Sequence, residues 1–268
     1  MLRGLVVVLP FFLGGLTGLL LGLTGAGGGM IASPLLILIM HQSVNEASPV
    51  SLLAVSVGAG LGAWMGLRQG IVRYRAALLL SLLGLMTSPL GIGLARIIPN
   101  APMLLAFALV LIYQGWRYWK PPNQGQDRDS PCSLDPITGR FVWNASCFQA
   151  MVRMGATTGF LSGLLGVGGG FVLVPALRRH TPLSMHSVTA TSLMVLTIVS
   201  LGGVLQWAVV GDVDWSLTWP FLGGVLMGIY VGRSQAHHIS EIYMRRLFSL
   251  LCFGVATSLW FKVIYLHG

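Results

Sequence analysis

Seven stretches of this chain carry no Asp, Glu, Lys or Arg: Gly4–Met40, Ala47–Leu67, Ala76–Ala95, Ile97–Trp116, Met154–Leu177, Thr181–Gly211 and Trp215–Gly232. A helix needs about 20 apolar residues to cross the hydrocarbon of a bilayer, so most of these runs are long enough to span once. The first and sixth exceed one span and must break or turn. Only 9% of the residues are charged and 54% are hydrophobic, whereas a soluble domain carries roughly a quarter charged residues. A soluble fold is excluded. Gly4–Met40 is longer than a signal-peptide core of about 7 to 15 residues and only Arg3 precedes it, so it reads as mature structure. The 36 glycines fit the same class, since small residues let membrane helices approach closely.

The net charge of +9 would suit a nucleic-acid partner. Yet the basic residues sit in short loops between apolar runs, where orientation signals belong, and no basic surface is left for a polyanion. The three cysteines give no disulfide framework: Cys252 lies in an apolar run, and Cys132 and Cys147 share one polar loop and read as free thiols, with a redox or metal role as the alternative. Nothing in the composition calls for a cofactor.

Sliding the chain by 141 residues brings its halves into register. Gly14–Leu36 lies over Gly155–Leu177 with 12 of 23 positions identical and no gap. The same offset pairs Ser51 with Ser192, Gly62 with Gly203, Gly70 with Gly211, Gly91 with Gly232 and Trp119 with Trp260. Self-similarity on this scale marks a duplicated structural unit. Between the copies, Lys120–Ala150 is rich in Pro, Asn, Gln, Asp and Ser and is the sizeable polar linker.

Short cytoplasmic loops are enriched in Lys and Arg, and equivalent loops differ. Arg68, Arg73 and Arg75 mark one loop as cytoplasmic, while its counterpart holds Asp212 and Asp214 and no base. Arg178 and Arg179 stand against His41–Glu46, and Arg233, Arg245 and Arg246 against Arg96 alone. Equivalent loops on opposite sides mean inverted repeats. The expected fold is an all-α membrane protein of two inverted-topology repeats, each with three full spans plus a broken or re-entrant Gly-rich helical hairpin. Residues 1–119 form repeat one, 120–150 a cytoplasmic polar linker and 151–268 repeat two. Both termini are placed outside, in the inner membrane of a prokaryote; Arg3 and Lys262 run against the rule.

Gly14, Gly18 and Gly22, like Gly155, Gly159 and Gly163, put a small residue on one helix face each turn and read as packing positions. The runs Gly25-Ala26-Gly27-Gly28-Gly29 and Gly166-Val167-Gly168-Gly169-Gly170 break a helix instead. Backbone freed in hydrocarbon survives only when buried in protein or lining a wet cavity. After each break a short helix restarts, with Pro34 or Pro175 in its early turns. Each restarting N-terminus carries roughly +0.5 charge. Two of them meeting near the midplane would offer about one positive charge and several donors to an anion, without any lysine. The alternative is that both runs are hinges. A nucleotide loop is excluded, because Met30-Ile31 and Phe171-Val172 follow where Lys-Ser or Lys-Thr is needed.

Gly-x-Gly-Gly-Gly followed by Pro and then a Ser/Thr-bearing helix start, once per half, resembles the sulfite exporter TauE/SafE family. The likeness covers nearly the whole chain. It implies a transporter of small sulfur-containing anions such as sulfite and sulfonates, sulfoacetate among them. By that resemblance the motif positions are Gly27, Gly28, Gly29 and Pro34, then Gly168, Gly169, Gly170 and Pro175, with Ser51, Thr191 and Ser192 on the next helices. The first copy has Pro49-Val50-Ser51 where the second has Ala190-Thr191-Ser192.

Ser48, Ser51, Thr189, Thr191 and Ser192 can donate to an oxyanion or bond back to their own helix. His186 can donate to an anion or carry a proton, or sit at the interface. The expected function is a secondary transporter or facilitator exporting such anions by alternating access, with lipid and a small anion as partners. It is not an enzyme: an intramembrane enzyme would need a base beside Ser162, and none is evident. A membrane scaffold docking partners on 120–150 is the remaining rival.

Overall fold

The computed structural model describes residues 2–25, 27–40, 42–119, 131–134, 141–208, 214–235 and 241–267. The linker stretches 120–130 and 135–140 and the loop 209–213 with its Asp212 lie outside these.

Ten helices are seen among the described residues. The first half holds α1 (Leu2–Thr24), α2 (Gly27–Ile39), α3 (Val44–Arg68), α4 (Tyr74–Ile97) and α5 (Asn100–Trp119). The linker carries a two-residue hairpin, β1 (Ser133–Leu134) with β2 (Phe141–Val142). The second half repeats the order with α6 (Ala145–Leu165), α7 (Gly170–His180), α8 (Met185–Ala208), α9 (Trp215–Gln235) and α10 (Glu241–His267). Four helices, over Val7–Thr24, Glu46–Arg68, Tyr74–Ile97 and Met185–Gln206, are long and apolar enough to cross a membrane. Large apolar side chains such as Phe12, Met86, Leu90, Met227 and Tyr230 stand on the outside, a surface that lipid can cover and water cannot.

The glycine stripes set the packing. A methyl group on Gly14, Gly18 or Gly22 of α1 would collide with the backbone of Phe221, Val225 or Ile229 of α9. Because both series rise together, α1 and α9 run parallel with their backbones in contact, which only glycine permits. Gly155, Gly159 and Gly163 of α6 meet Leu80, Gly84 and Ser88 of α4 in the same way. These glycines are packing positions, as expected. They also interleave the halves, since α1 packs on α9 and α6 on α4.

Helices α3 and α8 cross between these pairs. Gly66 would touch Ala190, Gly62 would touch Leu193 and Gly203 would touch Leu52, so the two run antiparallel. At the crossing Ser56 Oγ donates to the Thr197 carbonyl at 3.3 Å, and these residues are separated by the repeat offset of 141.

The linker departs from expectation: Cys132 and Cys147 are joined in a disulfide. The free-thiol reading fails because the chain returns. The Cys132 amide donates to the His180 carbonyl at the end of α7 at 3.2 Å, while Cys147 sits in the first turn of α6, capped by Asn144 Oδ1. Both sulfurs are buried against Leu173, Val174 and Leu177. Lys262 donates to the Ile37 carbonyl at 2.7 Å, filling one of the acceptors left open at the C-terminus of α2.

Candidate functional site

Each glycine turn folds its short helix back on the long one before it. A methyl group on Gly28 would strike the Thr17 carbonyl and Leu21 of α1, and one on Gly169 would lie 2.6 Å from the Thr158 carbonyl of α6. Positive φ makes the reversal possible: +71° at Gly25, and +63°, +81° and +70° at Gly166, Gly168 and Gly169. Side chains adopt such angles rarely, so glycine is required there by conformation as well as by space.

The two turns approach each other inside the bundle. A methyl group on Gly29 would collide with the Val167 carbonyl. Each turn is also held by the opposite half. Ser51 Oγ donates to the Gly166 carbonyl at 2.5 Å, and Ser192 Oγ to the Gly25 carbonyl at 3.1 Å. Both hydroxyls share their proton with their own helix, at the Ser48 and Thr189 carbonyls. The side chains of Ser48 and Thr189 in turn pack on Gly166 and Gly25. Each of these hydroxyl contacts has its counterpart at the repeat offset.

What differs is the polar inventory beside the turns. Among the described residues, none accepts from the amides of Gly168, Gly169, Gly170 or Phe171, where α7 begins with Gly169 as its N-cap. Two buried hydroxyls next to them are equally unpartnered: Ser200 Oγ, 2.8 Å from a methyl group placed on Gly168, and Thr158 Oγ1, on the residue that Gly169 packs against. Orphaned buried donors of this kind cost stability unless something binds them. Thr17, the counterpart of Thr158, instead donates to the Leu13 carbonyl at 2.8 Å. The counterpart of Ser200 is Ala59.

Of the residues singled out in the sequence, Gly28, Gly29, Gly168, Gly169, Gly170, Ser51 and Ser192 gather at the two turns, and Gly27 opens α2. Thr191 is buried two residues beyond Thr189, where its Oγ1 accepts from the Arg73 amide at 3.1 Å. His186 is exposed in the first turn of α8. Sequence reasoning passed over Ser200 and Thr158. Ser200 lies within the long charge-free run Thr181–Gly211, and its only signal is that a hydroxyl replaces the alanine of the other copy.

No solved structure matches the chain. A probable membrane transporter protein of Xylella fastidiosa (strain 9a5c) is 29% identical over 91% of this chain and 90% of its own length. The probable membrane transporter protein YdhB of Bacillus subtilis is 24% identical over 90% of this chain and 94% of its own. A probable membrane transporter protein of Methanocaldococcus jannaschii is 25% identical over 76% and 73%. The family model for the sulfite exporter TauE/SafE matches residues 10–259, a span that takes in both glycine turns and every helix packed around them, and the chain belongs to that family.

Proposed function

We propose that this chain is a secondary transporter that exports small sulfur-containing oxyanions, sulfite or sulfonates, through a site between its two glycine turns. The observation that carries the reading is the cluster of unpartnered donors at the start of α7: four amides with the hydroxyls of Ser200 and Thr158, all enclosed by protein. A helix N-terminus with free amides suits an anion, and hydroxyl donors complete the coordination of oxygens. In the low dielectric of the bundle each such bond is worth more than in water.

The antiparallel crossing of α3 and α8 at Ser56 and Thr197 supports two inverted repeats, 1–119 and 151–268, each with three full spans and a re-entrant hairpin. On this reading the bundles rock about the crossing and expose the site to each face in turn. An inside-negative potential favours exit of a monoanion by about 2.3 kcal/mol per 100 mV, so export needs no coupled ion.

The arginine-rich face, with Arg68, Arg73, Arg75, Arg178, Arg179 and Arg233, is placed in the cytoplasm together with the linker, which leaves both termini outside. The Cys132–Cys147 disulfide lies on that face and runs against the placement, since disulfides persist in oxidising compartments. The proposal follows the arginines, and cytosolic thiols would then open the bond. Labelling of these two cysteines in intact cells by a membrane-impermeant maleimide, after reduction, would reverse the orientation.

Purified protein in proteoliposomes should move sulfite or a short sulfonate saturably, and Ser200→Ala should raise the half-saturating concentration about tenfold, the scale of one hydrogen bond to a charged group. Saturable flux of no such anion sinks the reading.

A further inference from the structure

Arg233 was an orientation signal in the sequence; its surroundings give it a second role. It stands in the last turn of α9, is only 9% exposed, and finds no carboxylate, carbonyl or hydroxyl for its guanidinium among the described residues. It lies inside the bundle rather than against lipid. Its backbone nitrogen would be 3.0 Å from a methyl group on Gly22 of α1, and its Nη2 3.5 Å from one on Gly66 of α3. The same point at Gly66 is 2.8 Å from Ala190 Cβ and 3.2 Å from Val72 Cγ2. Next to Val72, Arg73 leaves its Nε buried and unpartnered while its amide holds Thr191 Oγ1. Arg233 through its Nη2 and Arg73 through its backbone, neither with a counter-ion among the described residues, therefore meet at Ala190–Thr191, directly after Thr189, which packs on the Gly25 turn.

An arginine that snorkels leaves its tip in the headgroups; Arg233 instead brings its Nη2 to Gly66 of α3 inside the bundle and keeps only a small part of its surface exposed. Ionisable groups kept inside a membrane bundle mark ion pathways. We propose that Arg233, with Arg73 beside it, forms a loading subsite for a small oxyanion on the arginine-rich face, between that face and the first glycine turn. This deepens the transport reading above and rests on it. The guanidinium fork matches two oxygens of a sulfite or sulfonate group at once. The counterpart of Arg233 in the repeat is Ile92, also buried, so the repeat-related position carries no cation. The subsite makes the pathway asymmetric: it captures anions from one side.

Sulfite uptake is measured in sided vesicles of wild type, Arg233→Gln and Arg233→Lys, with the anion offered to each face in turn. Arg233→Gln should raise the half-saturating concentration from the arginine-rich face about tenfold, and by less than about twofold from the other face. Arg233→Lys, which keeps charge but loses the fork, should fall near threefold. A second readout needs no flux and no variant: sulfite should slow modification of Arg233 by phenylglyoxal in the solubilised full chain, followed by mass spectrometry. Wild type that transports sulfite, with Arg233 variants unchanged from both faces or with Arg233 unprotected, overturns the subsite alone. Protection of Arg233 without any flux keeps the subsite and removes the transport reading. Neither flux nor protection removes both. Should Arg233→Gln fail to fold, Arg233→Lys and the protection measurement decide.

Discussion

The two glycine turns are built alike and furnished differently. Gly25 and Gly166 take the same left-handed conformation, and each carbonyl receives a serine hydroxyl from the opposite half. Around the second turn, however, Thr158 and Ser200 keep hydroxyls to spare, whereas around the first Thr17 spends its own on Leu13 and Ala59 has none. The shared parts are those that hold the backbone in place; the unshared parts are the ones the transport proposal assigns to the anion. The two copies share a frame with two turns, and a few differing side chains place the unpartnered Thr158 and Ser200 hydroxyls beside the second, while the unpartnered hydroxyl of α2 is that of Ser33, a helical turn beyond the first.

The largest effects should fall on what the halves share. Gly18→Val drives a side chain into the Val225 backbone and Gly159→Val into that of Gly84. Overpacking costs about 1–3 kcal/mol where side chains can move aside, and a backbone carbonyl in a helix cannot. Both variants should lose the monodisperse peak on size-exclusion chromatography. Recovery of one and not the other would mean that α1·α9 and α6·α4 are not equivalent supports.

Equivalent threonines should give opposite answers. Thr17→Val removes a made hydrogen bond and should lower stability by about 1 kcal/mol, seen as a lower thermal midpoint, with sulfite affinity unchanged. Thr158→Val removes a buried hydroxyl that has no partner, so the midpoint should hold or rise while sulfite affinity falls about tenfold. Matching behaviour of the pair would erase the asymmetry between the turns.

Why some of this was legible and some not follows from the range of the interactions. Spans, breaks and packing stripes are local: an apolar run, consecutive glycines, and glycine every fourth residue each state their consequence within a few turns of helix. The Cys132–Cys147 bond required knowing that the chain returns to His180, and two thiols in a polar loop do not say so. Ser51 and Ser192 were visible as a symmetric pair, but their reach into the opposite turn depends on how the halves interleave. Thr17 and Thr158 are the hardest case, because the same residue at the same place in the repeat is satisfied in one copy and orphaned in the other. That difference exists only in the folded protein.

The smallest effect concerns another equivalent pair, Arg73 and Asp214, which precede α4 and α9. Arg73 makes no capping hydrogen bond. Asp214 Oδ1 accepts from the Ser216 hydroxyl at 2.6 Å and from the Ser216 amide at 3.0 Å, and the Ser216 hydroxyl above all holds its carboxyl below the usual aspartate range. A carboxyl with its folded pKa depressed contributes stability above its unfolded pKa of about 3.9 and loses it as pH falls through the folded value. Asp214→Ala should therefore cost about 0.5 kcal/mol at neutral pH, the low end for a cap because the group is exposed, and that deficit should vanish in acid. Asp214→Asn should keep the cap and flatten the acid limb of the thermal midpoint below about pH 5. Arg73→Ala should change neither limb, since the start of α4 has no side-chain cap to lose; a matching loss there would show that charge rather than capping distinguishes the two helix starts.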